Sequence, residues 1–183
     1  VRPMLGLIAG EGRLPFMVAD GARKAGFRVI CIGLADNAEP SLAEHVDVFF
    51  WGAIARPGGW MRKLRKYNVS RAIMVGRVEK ARIYTPRRIL RYLPDWRAFR
   101  IWYWRLRGKD KRNDQVLLAI TEEFADGGII LEDSTMYCRE HLATEGVMTR
   151  KQPSRSVQAD IEFGWKLVLE VGRLDIGQAI AVR

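Results

Sequence analysis

The chain has 183 residues, 48% of them hydrophobic and 28% charged, which are proportions of a globular protein and exclude wholesale disorder. Its 31 Lys and Arg against 21 Asp and Glu give a net charge of +10, so an anionic partner is expected: nucleic acid, anionic lipid or a phosphorylated substrate. No apolar run approaches the roughly 18–20 residues that span a bilayer, no signal peptide precedes the first apolar run, and two cysteines make no disulfide framework, so a soluble chain of cytosolic type with reduced thiols is expected.

The chain starts at Val1, and a native start is expected to have been trimmed or replaced. Met4 to Gly10 is a short apolar run ending in glycine and predicts a buried strand. Leu14 to Lys24 follows a helical pattern, with Pro15 suited to its first turn and Gly26 to its end. Phe27 to Leu34 and Val46 to Trp51 predict a second and a third strand; Cys31, inside the former, reads as a small buried hydrophobe. Trp60 to Tyr67 predicts a helix, Ala72 to Gly76 a fourth strand, Val116 to Phe124 a strong helix, and Ile129 to Leu131 a fifth strand. Strands that are continuous apolar runs alternating with helices predict a Rossmann-like α/β fold over residues 1–143, with a mostly parallel sheet covered on both faces. Residues 144–156 are polar and contain Pro153, and read as a linker. Asp160 to Val171 predicts another helix and Ile176 to Val182 a strand; they are expected to begin a smaller second domain, 157–183, because one helix and one strand cannot bury a core of their own.

Ligands of open α/β sheets bind beyond the carboxyl ends of the strands, which directs attention to the glycines that follow them. Gly10-Glu11-Gly12-Arg13-Leu14-Pro15 joins the first strand to the first helix. Backbone N–H groups at a helix start attract anions, and glycine lets a phosphate approach. The third glycine of a dinucleotide fingerprint is replaced by Pro15, so a nicotinamide site is not expected. Gly10, Gly12, Arg13 and Leu14 are therefore candidates for a phosphate-bearing ligand, with a tight turn as the alternative reading. Gly76 and Arg77 follow the fourth strand, where a guanidinium can clamp a phosphate. His45 and His141 lack metal-ligand spacing, so a zinc site is not expected. Asp114, Asp160 and Asp175 are candidates for Mg²⁺ or substrate, although Asp114 also reads as a helix cap.

Residues 77–112 hold thirteen Lys or Arg against three acids, interleaved with Tyr84, Tyr92, Trp96, Phe99, Trp102, Tyr103 and Trp104. Such a mixture suits stacking on single-stranded nucleic acid, a membrane interface with anionic lipid, or aromatic rings packed on the sheet with a wet cationic rim. No motif of a standard nucleic-acid fold accompanies it, so no specific nucleic-acid partner is expected.

The run Leu5 to Pro15 resembles the opening of the LpxI-type UDP-2,3-diacylglucosamine pyrophosphatases. Met74-Val75-Gly76-Arg77-Val78, Asn113-Asp114-Gln115-Val116-Leu117-Leu118, Glu145-Gly146-Val147-Met148-Thr149 and Leu174-Asp175-Ile176-Gly177-Gln178-Ala179 are similar to later motifs of that family, in the same order. Arg77 stands where the family has lysine, and Asn113 where it has an acid. The resemblance implies Mg²⁺-dependent hydrolysis of a lipid-linked UDP-sugar to UMP and lipid X at the cytoplasmic face of the inner membrane, by a peripheral protein, with room for a homodimer. It adds Thr149, Asp175, Gly177 and Gln178 to the candidate substrate residues. It also implies that the family's catalytic residues lie beyond Arg183, so that this chain is expected to be a fragment. A basic nucleic-acid-binding module and a non-catalytic scaffold domain are the alternatives.

Overall fold

A computed structural model describes residues 2–79, 93–105, 113–174 and 176–182, and the chain falls into two compact units, Val1–Leu142 and Ala143–Arg183. The candidate Asp175 and most of the basic block, 80–92 and 106–112, lie outside the described residues.

In the first unit, β1 (Met4–Ala9), β2 (Arg28–Leu34), β3 (Val48–Gly52), β4 (Arg71–Val75) and β5 (Ile130–Glu132) form one sheet in the order β3-β2-β1-β4-β5. Every pairing is parallel, so the predicted parallel α/β sheet is the one observed. Among the described residues the α-helices of this unit are α1 (Leu14–Lys24), α2 (Pro57–Lys66), α3 (Trp96–Arg100), which continues as a π-helical turn over Ile101–Arg105, and α4 (Asn113–Asp126), with short 3-10 turns at Pro40–His45 and Arg139–His141.

The continuous apolar runs are explained by burial on both sides. Leu5, Leu7 and Ala9 of β1 and Val29 and Cys31 of β2 pack with Val18, Ala19 and Ala22 of α1. The alternate residues Ile8, Ile30, Ile32 and Leu34 pack with Trp60, Met61 and Leu64 of α2 and with Phe124 of α4. Side chains of a strand alternate between faces, so one strand feeds both cores. Each fully buried aliphatic or aromatic side chain contributes about 1.5–3 kcal/mol. Cys31 is part of this core, and burial pushes its thiol up to about 12, so it stays protonated.

Boundaries shift where a local signal outweighs hydrophobic periodicity. The second helix begins at Pro57, three residues before its predicted start, because proline's fixed φ suits a first turn. The fourth spans Asn113–Asp126 and so extends the predicted Val116 to Phe124 at both ends.

In the second unit, α5 runs over Arg155–Arg173. It starts inside the segment read as linker, five residues before the predicted Asp160. Ser154 caps it, its side chain accepting the Val157 N–H at 3.3 Å. The strand predicted over Ile176 to Val182 is absent among the described residues, which run there as irregular chain. Alternating apolar residues make a strand only when another strand takes up the backbone hydrogen bonds. Instead Ile180 and Val182 lie against Gly164 of the helix. Among the described residues no helix is long and apolar enough to cross a membrane.

Candidate functional site

Strand order reverses direction at β1, with β2 on one side and β4 on the other, and this is the crevice where ligands of open α/β sheets bind. Here the loop after β4 is stitched across the end of β1. Gly10 N–H donates to the Val75 carbonyl at 2.8 Å, Glu11 N–H to the Arg77 carbonyl at 2.8 Å, and Arg77 N–H to the Glu11 carbonyl at 2.9 Å. The same loop reaches the loop after β2, where the buried Asn37 accepts the Glu79 N–H on its side-chain oxygen at 2.9 Å. Asn37 also donates to the Ala35 carbonyl at 3.2 Å. Residues 76–79 therefore form a continuous rim across the carboxyl ends of β4, β1 and β2.

Gly10 and Gly76 are the contact that permits this rim. A Cβ on Gly10 would lie 2.5 Å from the Arg77 carbonyl oxygen, and one on Gly76, at φ +97°, would lie 2.8 Å from the Gly10 carbonyl carbon. Their small size is accounted for by backbone meeting backbone. Gly12 differs: its φ is +110°, and no atom stands within 4 Å of where a Cβ would be, so its surroundings are open. Next to it Arg13 and Leu14 are exposed, and α1 starts without a side-chain cap, with Pro15 in its first turn. An uncapped helix start beside an open glycine can receive an anion through backbone N–H groups. Arg77 is mostly exposed, and its guanidinium lies 3.3 Å from the Glu11 carboxylate.

The first unit also has two cavities. One, of about 490 Å³, is lined by Ala35, Asp36, Trp51, Gly52 and Ala53, where the ends of β2 and β3 are tied by Ala35 N–H donating to the Gly52 carbonyl at 2.9 Å. Trp51 stands edge-on to Phe49, with ring centroids 4.9 Å apart, and is itself exposed. Asp36 holds the left-handed conformation at φ 68°. The other, of about 470 Å³, lies along α1 and includes Arg13, Asp20, Lys24 and His141. Both volumes suit a small molecule. The sequence reading missed Asp36, Asn37 and Trp51. An acid just after the second strand, some two dozen residues beyond the glycine turn, was the available signal, because in Rossmann-like folds that place faces a ribose.

The structure thus brings Gly10, Gly12, Arg13, Leu14, Gly76 and Arg77 to one edge of the sheet. Thr149, Gly177 and Gln178 belong to the second unit. There Thr149 is exposed and donates its hydroxyl to the Lys151 carbonyl at 2.9 Å, and Gln178 is exposed in the chain after α5. Among the described residues, no three His, Cys, Asp or Glu side chains come together as metal ligands. Mg²⁺ needs no such cluster, since one or two carboxylates together with substrate phosphates suffice to hold it.

The family model of the LpxI N-terminal domain matches residues 4–141, and that of the LpxI C-terminal domain matches residues 144–183. A curated relative, the UDP-2,3-diacylglucosamine pyrophosphatase LpxI of Caulobacter vibrioides, is 28% identical over 180 residues, covering 97% of this chain and 61% of the relative. The chain thus spans about three fifths of that relative's length. Among solved structures, a UDP-glucose-4-epimerase from Stenotrophomonas maltophila with bound NAD and formylated UDP-arabinopyranose aligns with 70% of this chain and 35% of its own, at 11% identity and a TM-score of 0.43. Since the N-terminal family model alone accounts for most of the sequence and the C-terminal one for the remainder, the chain belongs to the LpxI family.

Proposed function

We propose that the chain carries the nucleotide-binding part of an enzyme that hydrolyses the pyrophosphate bond of UDP-2,3-diacylglucosamine, releasing UMP and lipid X. The observation that carries this reading is the match to both LpxI domains along the chain, together with a curated relative named for that activity. The geometry agrees with it. Arg77 and the start of α1 offer positive charge at the switch point, where a diphosphate would lie. Asp36 stands where a ribose hydroxyl would be bound, and Trp51 offers an aromatic surface to the base beside it. The second unit is proposed to contribute Thr149, Asp175, Gly177 and Gln178 to substrate binding. The metal requirement is a variable of the assay.

A ligand that binds only the folded state raises the melting temperature, by about 2.7 kcal/mol of added stability at a hundred times its Kd. UDP is expected to raise the melting temperature of this chain, ADP is not, and Arg77→Ala or Asp36→Asn should diminish the UDP effect. Release of UMP from the lipid substrate, with and without Mg²⁺, then tests the reaction. The absence of both a UDP-specific shift and UMP release would refute the proposal.

A further inference from the structure

The loops that carry Asp36 and Arg77 leave strands that are not neighbours. β1 stands between β2 and β4, so the two loops start about 10 Å apart, which is two strand spacings. The side chain of Asn37 spans that gap. It is 5% exposed, and its amide is engaged at both ends: the oxygen accepts the Glu79 N–H at 2.9 Å, and the nitrogen donates to the Ala35 carbonyl at 3.2 Å. One partner is a donor and the other an acceptor, so the place calls for a short neutral side chain that offers both on one planar group. A carboxylate only accepts, and an apolar side chain does neither.

The two ends of this tie are held differently. The Asp36 loop is built by its own backbone. The N–H groups of Asn37 and Ala38 both donate to the Leu34 carbonyl, at 3.0 and 2.8 Å, and Ala35 N–H donates to the Gly52 carbonyl at 2.9 Å. These bonds shape the turn that holds Asp36 at φ 68°, whatever side chain stands at position 37. The Arg77 loop has less support of its own. Arg77 exchanges backbone bonds with Glu11 in an isolated bridge, and Val78 rests on the core below. The next anchor along the chain is the bond from Glu79 to Asn37. Loss of the amide therefore loosens the Arg77 side and leaves the Asp36 side in place. What Asn37 supplies beyond stability is a fixed distance between the two loops.

We propose that Asn37 is a positioning residue of the nucleotide site: it holds the Arg77 loop in register with the Asp36 loop, so that the ribose and the diphosphate of one nucleoside diphosphate are met together. The inference rests on the nucleotide-binding reading above. Contacts to two parts of one ligand reinforce each other only while the geometry allows both at once. Without the tie, a nucleoside diphosphate loses much of its advantage over the bare nucleoside, and the nucleoside binds as before.

NMR titration of the parent chain, Asn37→Ala and Asn37→Ser with UDP and with uridine tests this, at a temperature where melting curves show each protein folded. The parent should bind UDP more tightly than uridine. Asn37→Ala should lower that advantage about five- to tenfold, with uridine affinity unchanged. Asn37→Ser, whose neutral hydroxyl stops one atom short of both partners, should act in the same direction, and it takes the place of the alanine variant if that one does not fold. Deuterium exchange at the Glu79 amide should be slow in the parent and faster in the variants. A merely structural role would lower the melting temperature and leave the ratio of the two affinities as it is. The inference is overturned if the folded variants keep the parent's ratio, or if they lose UDP and uridine binding in equal measure. Failure of the parent to bind UDP would instead overturn the nucleotide reading, and this inference with it.

Discussion

The helices α1 and α5 carry similar amphipathic patterns and end in opposite circumstances. In α1, Pro15, Val18, Ala19 and Ala22 are buried against a sheet edge to edge with its neighbours. In α5, nineteen residues long, Gly164 is buried while Ile161, Phe163, Trp165, Leu167 and Leu169 are exposed. Periodicity states which face of a helix wants to be covered, and only a partner covers it. The first unit has that partner in its own sheet, whereas the described residues of the second, 143–183, form one helix and irregular chain. Substitutions should therefore be costly in the first unit and mild in the second.

The largest effect is expected in the core between the sheet, α2 and α4. Phe124 is fully buried and its ring lies 6.4 Å from that of Trp60, so Phe124→Ala should cost about 3–5 kcal/mol, read by urea unfolding. Glu123→Gln comes next. It leaves Arg97 without its Glu123 counter-charge and Arg100 with Asp126 alone, and breaking one side of a buried pair costs about 3–5 kcal/mol; the lower end is expected, because both guanidinium groups reach solvent and Arg100 keeps a partner. If Glu123→Gln proved neutral, the ion pairs of Arg97 and Arg100 would not be what holds α3 against α4. Asn37→Ala follows at about 1–3 kcal/mol, since it removes the acceptor of the Glu79 N–H and loosens the rim across the switch point.

This ranking also marks what could be read from sequence. β1 and α1 were legible because apolar runs, a proline and terminal glycines are local signals, and α1 lies over Leu14 to Lys24 as the pattern predicts. The glycine turn was legible as a place of interest, but its construction was not. That Gly10 and Gly76 face each other, and that Glu79 reaches Asn37, depends on contacts between residues some 40 to 70 positions apart. Asp36 and Trp51 escaped notice because neither has a repeating neighbour, and only the sheet order makes their strand ends adjacent. In the second unit the misreading ran the other way. Ile176 to Val182 has a strand's alternation, and with no strand beside it the pattern has nothing to pair with.

Ser154→Ala should remove the cap of α5 and cost about 1 kcal/mol, seen as lost helical circular dichroism with unit-one unfolding unchanged. A loss that spread to the main unfolding transition would mean that the two units unfold together.

The smallest effect sharpens the comparison most. Ile161 and Leu167 are large apolar residues on exposed faces of α5, and in a buried setting their truncation to alanine would cost about 2–5 kcal/mol. Exposed, each should change stability by no more than about 0.5 kcal/mol, and alanine's better helix propensity even favours the variant. Urea unfolding of Ile161→Ala and Leu167→Ala, with sedimentation to read the oligomeric state, decides between the two settings. A near-zero change in a monomer agrees with a helix whose apolar faces meet solvent. A cost of about 2 kcal/mol or more would show that the face is covered in solution, and a matching fall in the sedimenting mass of the variants would identify the cover as a second copy of the chain.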